Sequence, residues 1–317
     1  MDALSDLLRV VRLDGAFFYT VEGAEPWSVQ ALPARELSPR IMPHTEHLIS
    51  YHILTEGRCY GGPLGEEQVE LSAGDVIVFP HGDAHIMSSS RGLRVGVDLH
   101  SAAPPQHPTT VSLGEGPRTS YFVCGFLGCD IRPFNPLLAA LPRCLHMRGL
   151  SSAALDSFTR RLTDEARLGH AGADAVLTRL AEVMFIEVVR RHLEGLGPGQ
   201  TGWLAGLRDE MVGRVLGLIH GQPGHPWTLE ALAHEVASSR SNVAKRFAEL
   251  VGQPPMQYLA RWRMQVAANL LTQGGAKVAA VGAEVGYDSE AAFSRAFKKA
   301  TGVAPGAWRE ARRTSHS

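Results

Sequence analysis

Between Thr228 and Thr301 the chain carries one pattern twice: a short helix, a turn, and a longer amphipathic helix opened by a capping serine. Two such units joined by a third helical segment restrict this part of the chain to a small all-α domain. In the second copy, Ser289 is placed to accept hydrogen bonds from the free N–H groups of the helix that follows, and Val278 to Val285 reads as the supporting helix with Gly286 as the turn. Helical spacing puts Ala292, Phe293, Ala296, Phe297 and Ala300 on an inner stripe and Ala291, Ser294, Arg295 and Lys298 on the opposite face.

The first copy has Thr228 capping Leu229 to Val236 and Ser239 capping a helix that runs to about Leu250. Its inner stripe is Val243, Phe247 and Leu250, and its outer stripe is Ser241, Ala244, Lys245 and Ala248, flanked by Arg240, Asn242 and Arg246. Gly252-Gln253-Pro254-Pro255 stops that helix, and Met256 to Leu271 forms a long amphipathic connector carrying Arg261 and Arg263. A capped amphipathic helix behind a short one is common in ordinary helical proteins. Two copies whose outer faces are small, polar and basic suit entry into a major groove, with hydroxyl, amide and cationic groups for base edges and phosphates.

Charge is divided in the same way. From Met211 onward the chain has 13 Lys and Arg against 7 Asp and Glu, and before it 18 against 25, so the net charge of -1 conceals a basic module joined to an acidic one. All the lysines, Lys245, Lys277, Lys298 and Lys299, lie in the basic module, where phosphate neutralisation would use them.

From Trp227 to Trp308 the chain resembles the AraC/XylS family of bacterial transcription regulators, most specifically in PPMQYLARWRMQVAANLL from Pro254 and GYDSEAAFSRAFKKATGVAPGAWR from Gly286. The resemblance implies two recognition helices in successive major grooves on one face of promoter DNA, held by a rigid linker helix, with RNA polymerase as a further partner. Together with the capping and outer-face residues, it makes Arg240, Ser241, Asn242, Ala244, Lys245, Arg263, Ser289, Glu290, Ala291, Ser294, Arg295 and Lys298 the DNA-contacting candidates. Ala244 and Ala291 depart toward small side chains that touch a thymine methyl but form no hydrogen bond.

At 317 residues the chain is long enough for two cores. Phe17 to Phe126 alternates short β-rich segments with Gly and Pro turns, the mark of a sandwich or barrel. Within it, Gly74-Asp75-Val76-Ile77-Val78-Phe79-Pro80-His81-Gly82-Asp83-Ala84-His85 is similar to the second cupin motif, in which a turn delivers a histidine into a small barrel. At the first cupin motif His44, Glu46 and Ser50 stand where two histidines and a glutamate belong, and strand alternation adds His52 to the same inner face. His44, Glu46, His52 and His85, with Cys59 and Cys124 as thiolate candidates, form a candidate set for zinc or another divalent metal. The alternative is that each is a hydrogen-bonded or packed interior residue. The four cysteines include no CxxC pair, which argues against a disulfide scaffold and leaves thiol sensing by Cys59, Cys124 or Cys129 open.

Leu155 to Leu168 and Ala173 to Leu193 read as helices whose apolar residues cover more than one face, which suits either burial within the same domain or pairing with a second copy of the chain; the resemblance implies a homodimer. Glu194 to Leu204 is rich in glycine. The expected architecture is α+β in two domains: residues 1–194 a cupin-like β-barrel followed by dimerisation helices, 195–210 a linker, and 211–317 an all-α double helix-turn-helix. No apolar run approaches a membrane span, and a basic region followed by an apolar run is lacking at the N-terminus, so the expectation is a cytoplasmic, non-enzymatic regulator of transcription, an activator or a repressor. Its cupin domain is expected to sense a small molecule, a metal or a redox signal; a metal-dependent cupin enzyme with an appended DNA-binding domain is the alternative.

Overall fold

The structure is a computed structural model that describes residues 2–314 apart from 12, 44, 94–96, 99–109, 149–159, 162–163, 166–169 and 198. In chain order the elements are α1 (Ala3–Val10), β1 (Leu13–Ala24), β2 (Ser28–Ala31), α2 (Ala34–Ile41), β3 (His47–Pro63), β4 (Val69–Ser72), β5 (Val76–Phe79), β6 (His85–Ser88), β7 (Val97–Asp98), β8 (Thr110–Leu113), β9 (Arg118–Cys129), α3 (Pro136–Ala140) and β10 (Leu145–Met147). They continue with α4 (Ala173–Gly195), α5 (Trp203–Arg208), α6 (Glu210–Gly221), α7 (Leu229–Glu235), α8 (Arg240–Val251), α9 (Pro255–Gln273), α10 (Val278–Glu284), α11 (Glu290–Thr301) and α12 (Pro305–Thr314). Two compact units result: one is Leu13–Cys129 with Leu141–His192, the other Met1–Arg12, Asp130–Ala140 and Leu193–Ser317.

The first unit is a curled sheet with strand order β7-β2-β6-β3-β9-β1-β8, β4, β5 and β10 pairing off that path. The curl comes from β3. Its first half pairs with β9 and β5, and its second half with β4 and β6. The change of partners follows the register shift between Leu54 and Glu56 and coincides with Gly57 at φ +82°, where a Cβ would lie 1.8 Å from the Thr119 carbonyl oxygen. Only glycine tolerates both that angle and that approach. Tyr19, Trp27, Leu48, Leu54, Cys59, Phe79, Phe122 and Phe126 pack together as its hydrophobic core. Of the two expected interface helices, Leu155 to Leu168 lies mostly outside the described residues, whereas α4 is present and buries Leu177, Ala181, Met184, Phe185 and Val188.

The second unit joins the two helix-turn-helix copies through α9. Pro255 starts α9 at a position whose N–H has no helical partner. One side of the helix, with Tyr258 and Trp262, packs into the first copy; the other, with Met264, Ala267, Ala268 and Leu271, joins Val281, Val285, Phe293, Phe297 and Trp308 in the core of the second. Inside the first copy, the Trp203 indole N–H donates to the Tyr258 hydroxyl at 2.7 Å, and that hydroxyl donates to His220 Nε2 at 2.7 Å. Two segments distant in sequence pack into this unit as well. The Phe134 N–H donates to the buried Gln265 Oε1 at 2.8 Å, and the Phe134 ring meets Tyr258 edge-on beneath the Arg261 guanidinium. Neither that segment nor α1 was expected from local pattern.

Candidate nucleic-acid interface

Both recognition helices form as their caps demand. Ser239 Oγ accepts from the Asn242 N–H at 3.2 Å and Ser289 Oγ from the Ala292 N–H at 3.2 Å, so Ser289 is a cap first and any contact with DNA comes second. Gly252 and Gly302, at φ +81° and +82°, end the two helices in the left-handed conformation. The two turns share their geometry: Ser238 N–H returns to the Ala233 carbonyl and Tyr287 N–H to that of Gly282. Ala237 at φ +49° occupies the seat that Gly286 fills in the second copy.

On α8, Val243, Phe247 and Leu250 are buried as expected, and Arg240, Ser241, Asn242 and Lys245 are exposed with Ala244 half-buried beside them. Several of these groups already have partners. Asn242 Nδ2 donates to Ser238 Oγ at 2.9 Å, Arg240 lies 3.8 Å from Glu230, and Lys245 lies 3.9 Å from Glu249. Arg246 makes the strongest of the ties, with Nε and Nη2 each 3.0 Å from Asp209 Oδ2. That pairing spans 37 residues and had no local signal.

On α11, Phe293 and Phe297 are fully buried, whereas Ala300, assigned to the inner stripe by periodicity, is exposed. The hydrophobic core ends one turn before the helix does. Glu290, Ala291, Arg295 and Lys298 are exposed and Ser294 is half-buried, which is the outer face anticipated from spacing. Lys299 extends it, and among the described residues Arg295, Lys298 and Lys299 have no ion-pair partner. Three uncompensated cations on one helix end make a phosphate-seeking surface.

Arg263 is placed otherwise than the other candidates for contact with DNA. Its guanidinium is half-buried and donates to backbone carbonyls, to Pro223 O from Nε at 2.7 Å and to His225 O from Nη2 at 2.8 Å. The cause is steric: α9 lies behind the turns of both copies, so a side chain at this position meets carbonyls.

In the sheet unit, three of the metal candidates, His52, Cys124 and His85, stand within hydrogen-bond distance of one another in a row. Tyr19, Cys124 and His52 stand abreast on β1, β9 and β3, because Tyr19 pairs with Cys124 and Cys124 with His52 in register. His52 Nδ1 lies 2.8 Å from Cys124 Sγ and His52 Nε2 lies 2.7 Å from His85 Nε2, while His85 Nδ1 reaches the Asp83 carbonyl at 3.0 Å. Gly82, at φ +62° and packed against Ala34 and the Leu48 carbonyl, makes the turn that delivers His85. One set of tautomers satisfies the whole row: the Tyr19 hydroxyl donates to Cys124, the Cys124 thiol to His52 Nδ1, His52 Nε2–H to His85 Nε2, and His85 Nδ1–H to the Asp83 carbonyl.

That row does not fit a metal. Both ring nitrogens of His52 are committed, and two imidazoles sharing a tetrahedral zinc would hold their nitrogens about 3.3 Å apart given Zn–N bonds of about 2.0–2.1 Å. Glu46 precedes β3 and is partly exposed, Cys59 lies in the half of β3 that pairs with β4, and His44 is outside the described residues. Among the described residues no group of three or more His, Cys, Asp or Glu side chains is disposed to hold an ion. Burial also keeps three of the thiols protonated: it pushes Cys59 up to about 12, Cys144 up to about 12, and Cys124 well above the usual thiol range.

Known proteins agree with both halves. A family model described as a cupin matches residues 2–194, and a model described as a helix-turn-helix domain matches residues 232–311. Over 98% of its length the chain is 29% identical to a putative AraC-like transcription regulator of Streptomyces antibioticus, covering 99% of that protein. It is 27% identical, over 98% of its length, to the transcriptional regulator AlkR of Acinetobacter baylyi, of which 99% is covered. It is likewise 27% identical, over 98% of both proteins, to the RCS-specific transcriptional activator RclR of Escherichia coli. The capped tandem helices, the curled sheet and these end-to-end matches together show that the chain belongs to the AraC-type transcription regulators that carry a cupin domain ahead of a double helix-turn-helix.

Proposed function

We propose that this regulator binds double-stranded promoter DNA sequence-specifically, with α8 and α11 in neighbouring major grooves, and acts on RNA polymerase in the cytoplasm as an activator. The exposed, basic and partly unpaired faces of the two capped helices are the observation that carries this reading. Arg295 is its strongest base reader, because it is exposed and has no ion-pair partner among the described residues. A duplex selected by the full chain from a random-sequence pool provides the test. Arg295→Ala should weaken binding to that duplex by about 1–3 kcal/mol, a factor of roughly 5 to 150, with an unchanged thermal transition. Equal affinity of variant and wild type at fixed salt would remove α11 from base recognition.

The chain acts as a homodimer in this reading, joined through the helices that follow the sheet: α4 buries one face and still exposes Val183. The selected duplexes should then contain a repeated pair of boxes, and a single pair would indicate a monomer. The sensor takes a small organic effector. Protonated, buried thiols are poor targets for oxidation, and the Tyr19–Cys124–His52–His85 row is a hydrogen-bonded chain and not a set of converging ligands. The same geometry favours a sensor over a metal-dependent enzyme. Dialysis against EDTA should accordingly leave both the thermal transition of the sheet unit and DNA affinity unchanged, and a transition lowered by several degrees would restore the metal reading.

A further inference from the structure

Arg263 lies where α9 leaves the first core, at Trp262, and enters the second, at Met264. One guanidinium there binds both helix-turn-helix copies. Nε and Nη2 donate to Pro223 and His225 in the α6–α7 loop of the first copy, and Nη1 reaches the Gly286 carbonyl, in the turn of the second, at 3.5 Å. The two backbones also touch at this point. A Cβ on Gly224 would lie 2.3 Å from the Glu284 carbonyl oxygen, and one on Gly286 would lie 2.7 Å from both the Gly224 carbonyl oxygen and Arg263 Nη2. Two glycines that face each other's backbone, closed over by a forked cation, form a joint between the copies that α9 alone does not supply. Gly286 supplies the turn before α11, and the loop that holds Pro223 and His225 leads directly into α7, so the joint sits close behind both recognition units.

We propose that Arg263 is a positioning residue that sets the distance and helical phase between α8 and α11, so that the operator spacing the regulator accepts depends on a side chain that touches no base. The inference rests on the DNA-binding reading for its consequence and on the protein alone for its geometry. Arg is suited to this role because its planar fork serves several carbonyls at once; Lys offers a single point of contact and would hold only one of the two copies.

Two measurements test it. Spin labels carried on p-acetylphenylalanine at the exposed positions Glu249 and Lys299, near the ends of α8 and α11, should show one narrow distance distribution in the wild-type chain. Arg263→Ala should broaden it, Arg263→Lys should broaden it less, and Gly224→Ala, which keeps the arginine but wedges the joint, should shift its mean. The second measurement uses the duplex selected from the random pool and the same duplex with one base pair inserted between the two contacted segments, a rotation of about 34°. Wild type should lose at least tenfold in affinity on insertion, and Arg263→Ala no more than about threefold. Unchanged distance distributions in both Arg263→Ala and Gly224→Ala overturn the proposal. So does an Arg263→Ala variant that keeps the wild-type insertion penalty while its salt slope falls by about 1, which is the signature of a phosphate contact. If no duplex is selected, the DNA-binding reading fails while the distance measurement still decides the joint.

Discussion

Phe293→Ala should unfold the second helix-turn-helix while leaving the first intact. Phe293 is fully buried, its ring lies 5.6 Å from that of Phe297 and 5.7 Å from that of Tyr287, and Gly282 approaches so closely that a Cβ there would sit 3.0 Å from Phe293 Cγ. Truncating such a ring costs about 3–5 kcal/mol, because the lost transfer energy is joined by a cavity that helices packed this closely cannot refill. The core it belongs to is small, so that loss is comparable with everything holding the local structure together. Hydrogen exchange should show residues 275–314 losing protection while α7 and α8 keep theirs, and affinity for the two-box duplex should fall to that for a single box. Retained protection across α11 would mean that the second core does not depend on this ring.

Acid should destabilise the helix-turn-helix unit through His220, a base that burial holds in its neutral form. Its Nε2 accepts from the Tyr258 hydroxyl, its ring stacks on Trp262 at 4.0 Å, its Nδ1 is buried, and burial pushes its pKa down to about 3. The unfolded chain would protonate near 6.5. Above that value both states are neutral and the group costs nothing; as pH falls below it, the unfolded state takes up a proton that the folded state refuses until about 3. The loss is about 1.4 kcal/mol per pH unit, of order 4–5 kcal/mol across the window if folding persists that far. Calorimetry should show a proton uptake on unfolding that rises from about a quarter of a proton at pH 7 to about one at pH 5 and that His220→Phe removes. Identical pH slopes in the two proteins would place the acid sensitivity elsewhere.

These two expectations differ in how early they were visible. Phe293 was assigned to the inner face by spacing alone, since a helix of fixed period and a capping serine at Ser289 determine which residues share a side. His220 showed no such sign: it ends α6 as an ordinary histidine, and only packing against Tyr258, Trp203 and Trp262 makes it a neutral core residue. Ala300 marks the limit of periodicity in the other direction, since the pattern continues past the last residue that α9 can cover. α12 has no such local signature, for a related reason. It places Trp308 in the second core and packs it against Phe297 at 5.7 Å, a pairing that lies eleven residues along the chain and outside any single helical repeat.

The sequence by itself determined the local and repetitive features: both helix caps, the buried and exposed faces of α8 and α11, the basic character of the C-terminal module, and the turn that brings His85 inward. Each depends on residues within a few positions of one another, where backbone geometry leaves few choices. Tertiary structure alone decided what the long polar side chains do. Arg263 finds its carbonyls 23 to 40 residues away, Arg246 its carboxylate 37 away, and His52 its two partners 33 and 72 away. A hydrogen bond forms with whichever group the fold brings within about 3 Å, and sequence spacing holds no record of that approach.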